Sequence, residues 1–380
     1  MKKALVAASV ASMIDQFTIP NIKALIDLGY EVDVAANFED GGSITVDRAK
    51  GLIARLEEMG ARVINTPIPR GPLAFGKIIK SYRIIKRISR ENKYGIMHCH
   101  SPIGGAVARL GVRGERKRVG TRVIYTAHGF HFYKGAPKKN WLLYYPVEKL
   151  CARFTDVLLT INREDFELAK RKLRAGRVEY VPGVGIDVEK FSSVSINKAE
   201  KKASLGIPED APVIFSVGEL NQNKNHEVIL RALAKINTDA HYVIAGKGAL
   251  EGELTKIALA LGISERVHLL GYREDVAELY HIADVFAHPS YREGLPVSVM
   301  EAMASGLPIV ASRIRGNVDL IKDGGGYLVA PCDVGGFAEA LESVLSSSDK
   351  RAKMGAYNRA AAQKYSYSEI EKTILDIYEK

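Results

Sequence analysis

The sequence predicts an α/β protein built from two Rossmann-like domains with parallel sheets. The chain has 380 residues, the length of two ordinary domains. Short apolar strands alternate with helical patterns along most of it, which favours parallel sheets covered by helices on both faces. One proline and two glycines interrupt this alternation at residues 181–187. We therefore expect an N-terminal domain at 1–183, a second domain at 184–364 and a last helix at 365–380.

Positive charge is concentrated in the first of these domains. Residues 1–183 contain 32 Lys and Arg against 17 Asp and Glu, a net charge of +15; the whole chain contains 54 and 44, so the remainder carries 22 and 27, a net charge of −5. This asymmetry suggests an anionic partner for the first domain. We expect an anionic membrane surface and no nucleic acid, because no known nucleic-acid module is recognisable. A solvated basic face is the alternative.

The cysteines and the N-terminus bear on the cellular compartment. Cys99, Cys151 and Cys332 are isolated and lack metal-ligand spacing, which fits a reducing cytoplasm. The apolar start of the chain is short and Asp15 follows it, so we interpret it as the first strand rather than a signal peptide. No apolar run approaches about 18 residues, the length of a membrane-spanning helix. We expect a cytoplasmic protein, peripheral on the inner face of the cell membrane.

Six strands are predicted in the first domain. The turn after the first strand, residues 9–13, contains no glycine, which argues against the G-x-G-x-x-G turn of a nicotinamide dehydrogenase. The helix predicted at 75–89 interleaves apolar and basic residues. Two interpretations of it are open, a membrane-interface helix and a core-packed helix with a solvated basic face, and the net positive charge of this domain slightly favours the membrane. The predicted strands are 3–10, 31–36, 62–66, 96–100, 123–126 and 156–160.

Histidines lie at the ends of two of these strands. His98 and His100 share one face of a strand, where metal binding is conceivable, but pocket-lining or hydrogen-bonded imidazoles are favoured because no third ligand has a suitable spacing. His128 is followed by glycine and aromatic residues in the segment 125–133. Such a segment suits a sugar, because rings stack on its apolar face and the imidazole bonds its hydroxyls. His128 is therefore a candidate functional residue, with a structural histidine as the alternative.

Six further strands are predicted in the second domain. After the first of them, a turn from Gly218 carries Lys224 just before a helix. This suits phosphate, because backbone amides approach it and the ammonium neutralises its charge; a solvated lysine is the alternative. Gly246 follows the second strand and lies either near a nucleotide or in a simple tight turn. The predicted strands are 212–217, 242–245, 267–270, 284–288, 308–311 and 327–329.

Two glutamates follow the fourth strand of this domain. Glu293 lies in the loop after it, and Glu301 lies about two turns into a helix predicted at 297–305 and ended by Gly306. The N-terminus of that helix offers unpaired N–H groups and the positive end of a dipole to a diphosphate, while carboxylates on either side accept hydroxyl groups. The pattern therefore predicts binding of a diphosphate that carries a sugar at each end. A capping role for Glu293 and a solvated Glu301 are the alternative.

Three stretches resemble one known family. The pattern Ser290-x-x-Glu-Gly-Leu-Pro-x-x-x-x-Glu-Ala-Met-Ala304 resembles the signature of family 4 of the retaining glycosyltransferases. Residues 128–132, His-Gly-Phe-His-Phe, resemble a segment of its bacterial capsule and exopolysaccharide members. Residues 218–225 resemble the Gly-x-Leu-x-x-x-Lys-Asn segment of the family. The resemblance implies the GT-B fold, in which two Rossmann-like domains face an interdomain cleft and the last helix crosses back to the first domain.

The resemblance also implies roles for individual residues. Glu293 contacts the donor sugar, Glu301 the ribose and Lys224 the diphosphate, while His128 lies beside the donor sugar. We take Glu293, His128 and Lys224 as the catalytic candidates. Tyr272 and Arg273 belong to the segment that lines the base pocket in the family. The remaining donor-binding candidates are the motif residues around the helix start and the residues of three neighbouring turns: Gly294, Leu295, Pro296, Val297, Ser298, Gly218, Gly246, Tyr272 and Arg273.

Two positions depart from the pattern of the family. The turn at 9–13 lacks the Gly-Gly that many members carry, so acceptor contacts in this loop stay open. Glu219 stands where many members have arginine, so one of the two usual cations beside the diphosphate is missing.

We expect a retaining glycosyltransferase of cell-surface polysaccharide biosynthesis. Its donor would be a UDP-hexose or UDP-N-acetylhexosamine, and its acceptor a polyprenyl-diphosphate-linked sugar or another saccharide. No Asp-x-Asp pair occurs in the sequence, so we expect no metal at the diphosphate and no cofactor. The alternatives are another GT-B enzyme, such as a sugar-nucleotide 2-epimerase or a pyridoxal-phosphate phosphorylase, and a catalytically silent nucleotide-sugar-binding or membrane-scaffold protein.

Overall fold

The computed structural model describes residues 2–380, which divide into two compact units. The first contains residues 2–184 and 370–380, and the second contains Gly185–Glu369. The division after Val184 falls inside the stretch where proline and glycine interrupt the sequence pattern. Among residues 2–380, no helix combines the length and the apolar character that crossing a bilayer requires.

The first unit is a seven-stranded parallel sheet with helices on both faces. Its elements are β1 (Lys2–Val10), α1 (Ala11–Phe17), α2 (Ile19–Asp27), β2 (Tyr30–Asn37), α3 (Val46–Glu58), β3 (Arg62–Asn65), α4 (Phe75–Asn92), β4 (Ile96–His100), α5 (Pro102–Arg118), β5 (Arg122–Ala127), α6 (Lys138–Ala152), β6 (Val157–Thr160), α7 (Arg163–Lys172) and β7 (Arg177–Tyr180). The strand order is β3-β2-β1-β4-β5-β6-β7. The six predicted strands are confirmed, and β7 is the strand that prediction missed. It is a half-buried edge strand in which Arg177 and Glu179 alternate with Val178 and Tyr180, so no apolar run marks it.

The helix α4 lies against the core of this unit. Its own Ile85 and Ile88 are buried, whereas Phe75 and Ile79 near its start are exposed. The core-packed interpretation therefore holds for most of the apolar face of this helix, and its basic residues are exposed except for the half-buried Lys86.

The second unit contains a six-stranded parallel sheet. Its elements are α8 (Val188–Ser192), α9 (Lys198–Ser204), β8 (Val213–Val217), α10 (His226–Leu233), β9 (His241–Ala245), α11 (Glu251–Ala260), β10 (Val267–Leu269), α12 (Val276–Ile282), β11 (Val285–His288), α13 (Val297–Ala304), β12 (Ile309–Ser312), α14 (Asn317–Leu320), β13 (Gly326–Val329), α15 (Val334–Leu345) and α16 (Ser348–Ala362), with short 3₁₀ turns at Gln222–Lys224, Ser264–Arg266 and Gln363–Tyr365. All six predicted strands are confirmed. Gly306 follows α13 with a φ of +75°, the left-handed conformation that ends a helix at glycine.

The order of strands in the second sheet indicates where a ligand binds. The order is β10-β9-β8-β11-β12-β13, so the direction of winding reverses between β8 and β11. Ile214 pairs with Val285 and Phe215 with Phe286 across this junction. In open parallel sheets, ligands bind beyond the carboxyl ends of the strands at such a reversal. The loops that follow β8 and β11 are the two that carry Lys224 and Glu293.

The last helix, α17 (Tyr367–Glu379), contributes to the core of the first unit. Ile370, Ile374 and Ile377 of this helix are buried among residues of the first sheet. The hydroxyl of Tyr378 lies 2.6 Å from Nδ1 of His98 on β4. The chain therefore returns to the first unit after completing the second.

Candidate active site

The loops after β8 and β11 are tied together by asparagine side chains. Nδ2 of Asn225 donates to the carbonyl oxygens of Pro289 at 3.1 Å and Pro331 at 2.9 Å. Nδ2 of Asn223 donates to the carbonyl oxygen of Arg292 at 3.0 Å, and the amide of Tyr291 donates back to the carbonyl of Asn223 at 2.8 Å. These bonds hold the backbone on both sides of the loop that precedes α13.

Lys224 and Glu293 form an ion pair where these loops meet. Nζ of Lys224 donates to Oε1 of Glu293 at 2.7 Å, and Nε2 of His288, at the end of β11, lies 3.3 Å from the same oxygen. The side chains of Lys224 and Glu293 are 21% and 15% exposed, and His288 is buried. The structure therefore brings together two of the three catalytic candidates and adds a histidine that the sequence analysis did not single out.

The charges at this junction are strongly coupled. Burial by itself would raise the pKa of Glu293, but the Lys224 charge and the hydrogen bond from His288 outweigh burial and hold that pKa well below its usual range. Burial lowers the pKa of His288, so its imidazole is neutral near pH 7. A neutral imidazole that carries its hydrogen on Nε2 donates to the carboxylate. Glu293 is therefore a stably ionised carboxylate with its charge already compensated.

The N-terminus of α13 lies directly beyond Glu293. Pro296 is its N-cap residue, and a proline side chain cannot accept hydrogen bonds from the first turn. The amides at the start of the helix are left for an external acceptor, as the prediction for Val297 and Ser298 requires. The carbonyl oxygen of Glu293 accepts a hydrogen bond from Nε of Arg315 at 3.1 Å, which helps to fix the Glu-Gly-Leu-Pro turn. Leu295 of this turn is buried.

Glu301 lies four residues after Val297, just over one turn into α13, and contacts Tyr280. The prediction that it lies about two turns into the helix is wrong, because the loop residues after Glu293 come before the helix begins. The hydroxyl of Tyr280 donates to Oε2 of Glu301 at 3.1 Å and is also 2.9 Å from the carbonyl oxygen of Ser298. Burial raises the pKa of Glu301, and the hydrogen bond from Tyr280 opposes this shift. The carboxylate is therefore held in place rather than freely solvated, and the solvated alternative for Glu301 does not hold.

The glycine turns of the second unit approach each other closely. A Cβ placed on Gly246 would lie 1.8 Å from the carbonyl oxygen of Gly218, so only glycine fits at position 246. The aliphatic chain of Lys224 packs against Gly218, where an added Cβ would meet Cε of Lys224 at 3.0 Å. The amide of Gly246 donates to the carbonyl of Gly271 at 2.8 Å. The close backbone approach in this turn is therefore enough to require glycine at position 246. The lack of a side chain at Gly218 leaves room for the aliphatic chain of Lys224.

Tyr272 and Arg273 lie on the loop after β10. Tyr272 is 58% exposed. Nε of Arg273 donates to Oδ1 of Asp275 at 2.7 Å, and Lys201 pairs with the same carboxylate. The predicted role of this loop in a base pocket remains a prediction.

His128 lies in the first unit, at the carboxyl end of β5. Its Nε2 is 3.1 Å from Nδ1 of His100, and the rings of His98 and His100 are 4.3 Å apart. Burial lowers the pKa of His128 to about 4 and that of His98 to about 3. His100 and His128 line a small pocket with Phe17 and Thr126. Among residues 2–380, no three His, Cys, Asp or Glu side chains converge as metal ligands do.

Comparison with known proteins shows which protein family the chain belongs to. The model described as glycosyl transferases group 1 matches residues 197–361, and the glycosyl transferase 4-like domain matches residues 20–183. EpsD of Bacillus subtilis (strain 168), which carries a glycosyltransferase name, is 37% identical over 383 residues that cover 99% of this chain and 96% of EpsD. The chain belongs to this glycosyltransferase family. The UDP-Gal:alpha-D-GlcNAc-diphosphoundecaprenol alpha-1,3-galactosyltransferase of Escherichia coli is 32% identical over 70% of each chain.

Solved structures show the same fold as this glycosyltransferase. HepE of Anabaena in complex with UDP superposes over the whole of both chains with a TM-score of 0.81 at 18% identity. Sucrose-phosphate synthase from Thermosynechococcus elongatus superposes over this whole chain and 98% of that chain, with a TM-score of 0.79 at 21% identity. The expected GT-B class, with two parallel-sheet Rossmann-like domains, is confirmed.

Four residues of the candidate site were not singled out from the sequence. His288 and Tyr280 were missed because they lie within apolar stretches, where a histidine or a tyrosine is ordinarily a core residue. Asn225 directly follows Lys224, and its position after a phosphate-type turn was an available signal. Arg315 comes 22 positions after Glu293, and no local pattern links the two.

Proposed function

We propose that this glycosyltransferase uses a UDP-hexose or UDP-N-acetylhexosamine as its donor. It transfers the sugar, with retention of configuration, to a polyprenyl-diphosphate-linked or other saccharide acceptor. The process would be the assembly of capsule or exopolysaccharide at the inner face of the cell membrane. One observation carries the proposal: Lys224 and Glu293 are 2.7 Å apart beside the N-terminus of α13, and Glu301 lies on the same helix. The UDP-Gal and diphosphoundecaprenol in the name of the Escherichia coli relative, and the UDP bound to HepE, agree with it.

The donor diphosphate would replace the Glu293 carboxylate as the main partner of the Lys224 ammonium. Lys224 and the first amides of α13 then surround the phosphate oxygens and stabilise the negative charge that grows on the leaving diphosphate. Glu301, held by Tyr280, accepts hydrogen bonds from the ribose hydroxyls. No metal or cofactor is needed in this scheme, because the protein itself supplies the positive charge.

Glu293 would orient the donor sugar by accepting hydrogen bonds from its hydroxyls. Its strongly lowered pKa and its contacts with Lys224 and His288 make it a weak nucleophile. We therefore favour a transition state with oxocarbenium character. The bond from the anomeric carbon to the phosphate oxygen breaks, the acceptor oxygen bonds to that carbon on the same face, and the acceptor proton passes to the leaving phosphate. His128 of the first unit stays a candidate for hydrogen bonding to a sugar, and its low pKa leaves its imidazole neutral at pH 7.

A thermal-shift screen over nucleotide-sugars tests this proposal first. Ligand at about 100 times its dissociation constant stabilises the native state by about 2.7 kcal/mol, which is a readily measured shift. UDP and at least one UDP-sugar should raise the melting temperature, and Glu301→Gln should reduce the shift. UDP release in the presence of polyprenyl-diphosphate-linked saccharides then identifies the reaction. A protein that no nucleotide-sugar stabilises would overturn the proposal, and UDP release with an epimerised free sugar would indicate an epimerase instead.

A further inference from the structure

The helix α6 of the first unit exposes an unusual number of apolar side chains. Leu142 is 83% exposed, Leu143 49%, Val147 45% and Leu150 47%. At 100° per residue, these four positions lie within an arc of about 140° on one side of the helix. Leucine and valine side chains that share one exposed helix face form a patch rather than scattered surface residues.

The opposite side of α6 is fixed to the protein. Glu148 is buried, and its carboxylate accepts from Nη1 of Arg109 on α5 at 2.6 Å. Ala152 is buried in the core, and the ring of Trp141 packs edge-on against Phe132 at 5.5 Å between centroids. The helix therefore cannot rotate to bury its leucine face, which stays directed away from the sheet.

Cations accompany this apolar face. Lys138 and Lys139 begin α6, Lys149 lies in its last turn and Arg153 follows as its C-cap residue, and all four are exposed. Residues 1–183 together carry a net charge of +15. A helix with an apolar face and flanking cations has the composition of an interfacial membrane helix, whose apolar side enters the headgroup region while its cations contact anionic lipid.

The start of α4 also exposes apolar side chains in the first unit. Both α4 and α6 pack beside α5 on one face of the sheet, and both follow strands, so both begin at the carboxyl edge of the sheet. Phe75 and Ile79 are exposed there, beside Lys77 and Lys80. The start of α4 is therefore a second exposed apolar and basic segment, separated from α6 by α5.

We propose that the first unit docks on an anionic lipid bilayer through the leucine face of α6, with the start of α4 as a secondary contact. Charge complementarity favours lipid over a second copy of the chain, because two such faces packed together would place their cations side by side. From the sequence, α4 alone is a candidate membrane element, but most of its apolar face lies in the core. The inference rests on the proposed function in one respect, since a lipid-linked acceptor lies in such a bilayer.

Vesicle cosedimentation of the full chain tests the proposal. The wild-type protein should bind vesicles of phosphatidylglycerol and phosphatidylcholine and remain unbound with phosphatidylcholine alone. Leu142→Ser with Leu150→Ser should weaken binding at least about tenfold, because the apolar face is lost. The matched control is Leu259→Ser on α11 of the second unit, where the leucine is 71% exposed. This control should bind as the wild type does.

Charge reversal and donor binding separate the possible outcomes. Lys139→Glu with Lys149→Glu should also weaken binding to anionic vesicles, and added salt should mimic it. Wild-type binding by the leucine variant would overturn the proposal, and a lipid-independent dimer that this variant abolishes would assign the face to a second copy. The UDP-dependent rise in melting temperature should be the same in the leucine variant and the wild type. If UDP raises the melting temperature of neither protein, the proposed function is contradicted. Vesicle binding still decides the docking proposal.

Discussion

Replacing Lys224 by methionine removes the ammonium while keeping an unbranched side chain against Gly218. The carboxylate of Glu293 is then left with His288, whose imidazole is neutral near pH 7 because burial lowers its pKa. An ionised carboxylate that loses its counter-charge at a site of this depth destabilises the folded state. We expect Lys224→Met to lower both the free energy of unfolding of the second unit and the rate of sugar transfer.

The size of the stability loss follows from the depth of the pair. Breaking a buried ion pair costs about 3–5 kcal/mol, whereas an exposed pair contributes only about 0–1 kcal/mol. The two side chains are 21% and 15% exposed, which places the pair nearer the buried limit. The expected loss at pH 7 is therefore about 2–4 kcal/mol.

The pH dependence of this loss provides an internal check. In the wild type the folded-state pKa of Glu293 lies below its unfolded value, so the stabilisation is present above about pH 4.5 and is lost only as the pH falls through the folded-state pKa. In Lys224→Met, burial acts without the lysine charge and raises that pKa. The difference in stability between the two proteins should therefore be largest near pH 7 and should narrow toward pH 4.

Urea unfolding followed by far-UV circular dichroism measures the effect. Fluorescence would report mainly on the first unit, because Trp141 is the single tryptophan of the chain. The control is Lys224→Met combined with Glu293→Gln, which removes both charges and should recover most of the lost stability. A loss below about 0.5 kcal/mol at pH 7, or a double variant that is no more stable than Lys224→Met, would refute the reasoning.

Three further predictions concern the ribose contact, the glycine turn and the histidines. Glu301→Gln should raise the KM for the nucleotide-sugar about tenfold with little change in kcat, since a uniform binding contact is weakened; an unchanged KM contradicts the ribose role. Gly246→Ala should lower the free energy of unfolding by at least about 3 kcal/mol, because the added Cβ would lie 1.8 Å from the carbonyl oxygen of Gly218. A melting temperature within a degree or so of the wild type would contradict this prediction. The free energy of unfolding should fall as the pH drops from about 6.5 toward 4, because His128 and His100 stay neutral when folded and bind protons when unfolded. His128 contributes about 3 kcal/mol of this fall. In His128→Asn the free energy of unfolding should depend less steeply on pH over this range.

Local pattern was enough to predict most of the framework. Twelve of the thirteen strands were predicted because apolar runs between turn residues report burial on both faces of a parallel sheet. The positions of Lys224, Glu293 and Glu301 relative to strands and helices followed from the same pattern. The exception, β7, is an edge strand, where one side faces solvent and polar residues replace the apolar run.

Contacts between distant segments were decided by how the sheets pack. The sequence placed Lys224 and Glu293 on separate loops, but only the adjacency of β8 and β11 brings them to 2.7 Å and turns two opposite charges into one compensated pair. The same holds for α6, whose leucines look like core residues in the sequence. They face outward because Glu148 occupies the inner side of the helix with Arg109. Periodicity records which residues share a helix face, but which face becomes buried depends on partners far away in the chain.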